Sequence, residues 1–348
     1  MSLPTLVSLK QRLAAFEVPE AHIQFRDADA LELYLARLHH VERHVIGQSR
    51  EGRLLYGCRF GRGPMAVSVI AGSHADEPAG PMTAQALAPL LAKFFPEFLD
   101  ACTFHVIPQM NPDGAERNRV WFSDPADFSR YALQAVREAP GDDIEFGFGE
   151  ADFTRPECLA AMEFMKSNAP FAVHASLHGM GYAEGAWFLI CREWAERTAG
   201  MMTELTGLCG EVGLPLHDVE RHGEKGFHRI RPGFCSTPTS AGMQAFFEER
   251  REAAMAAKFL PNSMEFARSL GGDPLCLVSE MPLFLIGDGS PDLANPVSGA
   301  FRETLSSARE EGLPLDTIAQ AYSVRPVSFA LQMKMQLALL LLGIVQRF

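Results

Sequence analysis

Val69-Ile70-Ala71-Gly72-Ser73-His74-Ala75-Asp76-Glu77-Pro78 is an apolar run that stops at a glycine, presents an imidazole and a carboxylate three residues apart, and ends at a proline. The apolar part has strand length, and a proline in the first turn of a helix loses no hydrogen bond, so the stretch reads as strand, tight turn, helix. The same alternation continues outward. Strand-length apolar runs fall at 54–60, 65–71, 103–108, 171–177, 187–190 and 275–279, and helical patterns at 78–95, 156–166, 193–211, 241–256, 296–311 and 326–346. Strands alternating with helices predict an α/β sheet covered by helices. In such sheets ligands gather where strands end, here at the glycine joints Ala71-Gly72-Ser73 and His178-Gly179. Residues 1–44 read as an N-terminal helical segment, and 45–348 as the main domain.

The chain has 348 residues, with 31 Lys+Arg against 43 Asp+Glu, for a formal net charge of −12. Hydrophobic residues make up 47%, enough for a sizeable core. So acidic a surface repels phosphate backbones and anionic lipid, which argues against nucleic-acid and membrane partners. The opening residues lack the basic-then-apolar order of a secretory signal. The run 337–345 is about half the ~20 residues a spanning helix needs. Seven cysteines, none close to another in sequence, argue for buried thiols in a reducing compartment, and the expected location is the cytoplasm.

His74 and Glu77 suit a zinc ion, although a histidine and an acid at a helix start also serve as caps and dipole partners. A third ligand is expected from another strand end, and Phe171-Ala172-Val173-His174-Ala175-Ser176-Leu177-His178-Gly179 supplies His178 there. His174, two pairs of residues earlier on the same face, reads as a supporting or core histidine. Two histidines and one glutamate leave zinc an open position for water, as hydrolysis requires. Glu280 ends the apolar run Leu275-Cys276-Leu277-Val278-Ser279 and is the candidate general base; the plainer reading is an acid facing solvent.

These pieces, together with Ile46-Gly47-Gln48-Ser49-Arg50-Glu51-Gly52-Arg53 and Asn111-Pro112-Asp113-Gly114, occur in an order that resembles the M14 family of zinc metallocarboxypeptidases. The resemblance runs from about Val45 onward. It implies a mixed eight-stranded sheet sandwiched between helices, of the phosphorylase/hydrolase-like type. It also implies zinc held by His74, Glu77 and His178, amide hydrolysis with Glu280 as base, and an arginine that stabilises the oxyanion, either Arg119 or Arg117. The implied substrate is a peptide or a small amino-acid conjugate.

The family's substrate segment, Gly-x-Asp-x-Asn-Arg-x-Phe, is matched only by Gly141-Asp142-Asp143-Ile144-Glu145-Phe146-Gly147-Phe148, with Glu145 and Phe146 where Asn-Arg is expected. A carboxylate in that pocket repels a C-terminal carboxylate, so carboxamide or amine-bearing substrates are expected to be preferred. Two other readings stay open. Asn118-Arg119 is itself the Asn-Arg pair, or Arg229 or Arg231, from a segment 220–239 that reads as a long loop over the cleft, reaches in as a clamp. An N-acyl amino-acid deacylase of the succinylglutamate desuccinylase and aspartoacylase type uses the same ligand pattern, and a non-catalytic zinc- or peptide-binding protein is the reading from another class.

Overall fold

The computed structural model describes residues 3–288, 293 and 296–348; Met1 and Ser2 of the N-terminal segment lie outside them. Among the described residues ten strands form one sheet: β1 Glu42–Gln48, β2 Leu54–Gly61, β3 Met65–Ala71, β4 Cys102–Ile107, β5 Val173–Ala183, β6 Trp187–Ile190, β7 Arg229–Arg231, β8 Phe234–Ser236, β9 Leu275–Leu285 and β10 Arg325–Pro326. The spatial order is β1-β2-β4-β3-β5-β9-β6-β8-β7, with β10 on β9. Neighbours β4-β3-β5-β9 run parallel, while β1, β2, β6 and β7 each have an antiparallel neighbour, so the sheet is mixed.

The sheet is broader than the eight strands expected. Three of the ten are very short: β7 and β8 have three residues each and β10 has two, too few to show alternation in a sequence. They correct the reading of 220–239 as a free loop, because β7 and β8 tie that segment to the sheet through β6. The expected helix 241–256 is broken, running Ser240–Glu249 and then Ala253–Ala256, with Arg251 left-handed at φ 62° between them. The expected helix 193–211 becomes regular only at Ala199. Strands β5 and β9 continue well past 177 and 279, paired side by side to Ala183 and Leu285.

Alternation within the central strands sorts side chains onto two faces. Val67, Val69 and Ala71 face one core, into which pack the helices Ala79–Phe94 and Phe329–Arg347 and, through Leu9 and Leu13, the N-terminal helix Leu6–Ala15. Ile70 points the other way, toward Cys158, Met162 and Met165 of the helix Pro156–Asn168. Phe329–Arg347 is the one helix among the described residues long and apolar enough to cross a membrane, with a mean hydropathy of 1.5. Here it is a core helix: Leu337, Leu339 and Leu341 are wholly buried, each contributing about 1.5–3 kcal/mol of hydrophobic stabilisation.

Two glycines bring this core close to the cleft. Gly72 has φ 74° and ends β3 in a turn that side-chain-bearing residues rarely adopt. At Gly80 an added Cβ would lie 2.3 Å from the Leu177 carbonyl oxygen, so the helix after Glu77 sits directly on β5.

Candidate active site

His74 and Glu77 leave the end of β3 on the Gly72 turn, while His178 and Glu280 lie on β5 and β9 as Cα partners in the parallel register. The end of β3 and the middles of β5 and β9 therefore bring together residues far apart in sequence. His74 Nδ1 lies 2.7 Å from Glu77 Oε1, His178 Nδ1 lies 2.9 Å from Glu77 Oε2, and the two Nδ1 atoms are 3.0 Å apart. One donor atom from each of the three residues falls within 4.8 Å of the others. Two imidazole nitrogens turned toward each other and flanked by a carboxylate need a proton or a cation between them, so the donor set fits a zinc ion.

The far nitrogens are held by carboxylates. His74 Nε2 is 3.2 Å from Asp143 Oδ2, and His178 Nε2 is 3.2 Å from Glu145 Oε2. Such outer partners fix the ring orientation of a metal-binding histidine and raise its basicity. The backbone is fixed as well: buried Gln336, on the core helix, donates to the His178 carbonyl (3.1 Å) and accepts from Thr83 Oγ1 (2.5 Å). His174 lies beneath, bonded to Ser68 at 3.0 Å, and burial pushes it down to about 4. It is a neutral core histidine.

Burial and Arg137 push His74 down, but Glu77 and Asp143 outweigh them and hold it at about 10. Burial opposes the charged form of Asp143 too, yet His74 and Arg137 draw it down to about 2. Burial and the like charge of Glu77 push Glu280 up to about 8, against the pull of His178, His74 and Arg137. A carboxyl with its proton affinity raised toward neutrality is suited to taking and returning a proton.

The cation paired with the candidate ligand Glu77 is Arg137. Its Nη1 lies 3.0 Å from Glu77 and 3.4 Å from Asp76, and it lines both cavities of the cleft. Arg117 and Arg119, expected here, are exposed instead: Arg117 pairs with Glu51, and Arg119 with Glu116 at 3.3 Å. The helix Pro112–Phe122 explains the difference, since consecutive helical residues are ~100° apart and here Asn118 faces inward. Asn118 is not at the substrate site. Fully buried, it donates to Gly114 and Val136 carbonyls (2.9 and 2.8 Å) and accepts from Val136 N, pinning the residue before Arg137. Asn118→Ala is expected to cost about 1–3 kcal/mol, from the buried groups left unpaired. Chemical denaturation checks this, and a loss below 0.5 kcal/mol, within the ordinary range of surface changes, would speak against the anchoring role.

The Asn111-Pro112-Asp113-Gly114 motif is structural in the same way. Asn111 caps the helix by accepting from Gly114 N at 2.9 Å, and buried Asp113 accepts from Ser49 Oγ, Glu51 N and Arg53 at 2.6–3.0 Å.

Glu145 does not stand free in a recognition pocket. One oxygen faces His178 and Ser176, and the other accepts from Ser263 Oγ at 2.7 Å. It lines the smaller cavity with both oxygens already engaged by His178, Ser176 and Ser263. Arg229 is spent on Asp218 in a two-pronged pair of 2.8 and 2.9 Å, and Arg231 reaches Thr203 at 3.3 Å; neither lines the cleft. The cations that do are Arg137, Arg221, Lys225 and Arg302. Arg221 and Lys225 belong to the 220–239 segment offered above as the source of a clamp; Arg137 and Arg302 belong to no motif and carry no signal in the sequence.

The cleft consists of a cavity of about 820 Å³ and one of about 200 Å³, which share Arg137, Arg221, Phe227 and Glu280. The smaller holds His74 and His178.

Residues 33–184 match the model of the zinc carboxypeptidase family, peptidase M14. Mouse carboxypeptidase M is 30% identical over 154 residues, covering 39% of this chain; the chain spans about a third (33%) of that protein. Among solved structures, a metallo-carboxypeptidase from Burkholderia cenocepacia aligns with a TM-score of 0.52 and 14% identity over 91% of this chain and 67% of its own. The Pseudomonas aeruginosa metallo-carboxypeptidase in complex with (2-guanidinoethylmercapto)succinic acid aligns with a TM-score of 0.52 and 17% identity over 90% and 66%. Bovine thrombin-activatable fibrinolysis inhibitor, with a tick carboxypeptidase inhibitor, aligns at 0.51 and 14% over 92% and 98%. Residues 33–184 thus match the zinc carboxypeptidase (peptidase M14) family in sequence, and over nearly its whole length the chain shares the fold of solved metallo-carboxypeptidases.

Proposed function

We propose that this protein is a zinc-dependent hydrolase that cleaves an amide bond of a peptide or small amino-acid conjugate. The observation that carries the reading is the meeting of His74, Glu77 and His178 donors within 4.8 Å, with Glu280 in register beside His178 on the wall of the same cavity. His74, Glu77 and His178 would hold the ion, which when bound supplies Lewis acidity toward a carbonyl and water. Glu280 takes the proton from the attacking water and passes it to the departing nitrogen. Arg137 stands where negative charge develops on the carbonyl oxygen and stabilises it. Asp143 and Glu145 hold the two imidazoles in place. Seven buried, unpaired cysteines support a reducing location such as the cytoplasm.

The test is elemental analysis together with a hydrolysis screen of peptides, murein peptides and N-acyl amino acids. One zinc per chain and release of an amine from peptides are expected. Cleavage of N-acyl amino acids alone would favour the deacylase reading, and zinc binding with no turnover would mean a binding protein.

The outer carboxylates make a separate prediction. Glu145→Gln and Asp143→Asn should each weaken zinc affinity by roughly 10–100-fold, read by competition with a chelator. Unchanged affinity in Glu145→Gln, with altered substrate preference, would return Glu145 to substrate recognition.

A further inference from the structure

Cys191 and Cys276 stand 85 residues apart in sequence and opposite each other in the sheet. Strands β6 and β9 pair antiparallel through Ile190 and Leu277, and the Cys191 N–H continues the ladder to the Cys276 carbonyl at 3.0 Å. Residues opposed in this way carry their side chains on the same face, with Cα atoms ~5.5 Å apart. That lies inside the roughly 4.4–6.8 Å a disulfide spans. The two thiols also converge. Both donate to one acceptor, the Pro274 carbonyl, 3.9 Å from Cys191 Sγ and 3.8 Å from Cys276 Sγ. The N–H of Cys276 goes to the Cys191 sulfur itself, at 3.3 Å.

Cys191 differs from the other thiols. Burial pushes Cys58, Cys102, Cys209 and Cys235 up to about 12. The hydrogen bonds from Cys276, with the charge of Arg268, instead draw Cys191 below its ordinary value, against burial and Glu193. Cys276 keeps its proton, pushed well above its ordinary value by burial and by Cys191. The thiolate is the form that attacks an oxidant. A small oxidant has a way in, because Cys191 lines another cavity, of about 410 Å³, with Arg192, His228 and Arg268. The acids on that wall are engaged: Glu193 pairs with Arg268, and Glu265 accepts from the backbone of Ser240 and Asn262 at 3.0 Å.

We propose that Cys191 and Cys276 form a reversible disulfide when the protein meets a hydroperoxide, which makes this pair a redox modification site beside the cleft. The Cys191 sulfur attacks a peroxide oxygen, the O–O bond breaks, and hydroxide leaves with the proton Cys191 has given up, as water; Cys191 is then a sulfenic acid. The Cys276 sulfur attacks that sulfur, the S–O bond breaks, and hydroxide leaves with the Cys276 proton as a second water. The two sulfurs lose two electrons and the peroxide gains them. A dithiol reverses the bond by exchange. Transient disulfides of this kind are the ones found where thiols are otherwise kept reduced. Glu280 lies four residues farther along β9 with its side chain on the same face, so the bond ties down the strand that carries the proposed base.

The test treats full-length, zinc-loaded, fully reduced protein with hydrogen peroxide in slight molar excess. Remaining thiols are then blocked with N-ethylmaleimide in urea, and the peptides are mapped by mass spectrometry without reductant. A peptide pair joined through Cys191 and Cys276 is expected, with the other cysteines recovered as alkylated thiols, and dithiothreitol should restore all seven. Cys191→Ser should abolish the joined pair and leave Cys276 alkylated, while Cys276→Ala should leave a sulfenic acid at Cys191 that dimedone traps. Should a variant fail to fold, the wild type decides: peroxide should scatter pairing over several cysteines in the urea-unfolded chain and give the one pair in the folded chain. Recovery of all seven thiols after peroxide, sulfinic acid at Cys191 with no joined peptide, or scattered pairing in the folded protein would overturn the proposal.

Discussion

Glu280→Gln is expected to lower kcat by about 10²–10⁴, the usual contribution of a general acid–base group, while zinc content stays at the wild-type value. Glutamine keeps the shape and the hydrogen-bonding reach of the side chain but cannot take a proton. The separation of the two effects follows from the geometry. The three donor atoms grouped within 4.8 Å belong to His74, Glu77 and His178, and Glu280 enters the cavity from the neighbouring strand. Single-turnover hydrolysis with parallel elemental analysis checks both halves. A variant that retains most of its rate would remove Glu280 from the proton transfer, and one that loses zinc would make it a ligand.

The second large effect is on metal binding. Glu77→Ala should weaken zinc affinity by more than the roughly 10–100-fold expected of the outer carboxylates, because Glu77 both donates to the ion and faces both imidazoles. The pH dependence has a definite sign. In the metal-free protein His74 is held at about 10, and His178 also stands well above its ordinary value, raised by Glu77 and Glu145 against the effect of burial. The protonated His74 contributes stability that is fully present below its unfolded value of 6.5 and is lost as pH rises through about 10. A ligating imidazole must give up that proton, so zinc uptake releases protons and affinity falls as pH falls, by about tenfold per unit for each proton released. Metal-free and zinc-loaded protein should therefore respond to pH in opposite directions, the zinc-loaded form losing stability on acidification. With zinc at ~1,000 times its Kd the loaded form gains about 4.1 kcal/mol. Thermal melts at several pH values, with and without chelator, would show this; parallel slopes for the two forms would contradict the His-Glu-His assignment.

His74 and Glu77 were legible because their geometry is local. A strand, a left-handed glycine at position 72 and a helix started at a proline bring an imidazole and a carboxylate three residues apart onto one point, whatever the rest of the chain does. His178 and Glu280 were legible because each follows an apolar run of strand length, and the parallel register of β5 and β9 places them side by side in mid-strand. Apolar alternation also revealed the central strands 65–71 and 187–190. The polar wall of the cleft had no such signal. Whether Asn118 or its neighbours Arg117 and Arg119 face inward depends on how the helix Pro112–Phe122 is rotated against the helix Phe128–Gln134 and on which carbonyls lie beneath it, at ~100° per residue. Arg137, Lys225 and Arg302 come from two irregular segments and a surface helix, whose periodicity says nothing about where they end in space. The role of Glu145 turned on the tertiary structure most of all. Its sequence position suggested a charge facing substrate, but only the folded chain brings the Nε2 of His178 and the hydroxyl of Ser263, 33 and 118 residues away, against its two oxygens. Local covalent spacing determined which residues can ligate a metal; packing over long separations determined which charges remain for the substrate.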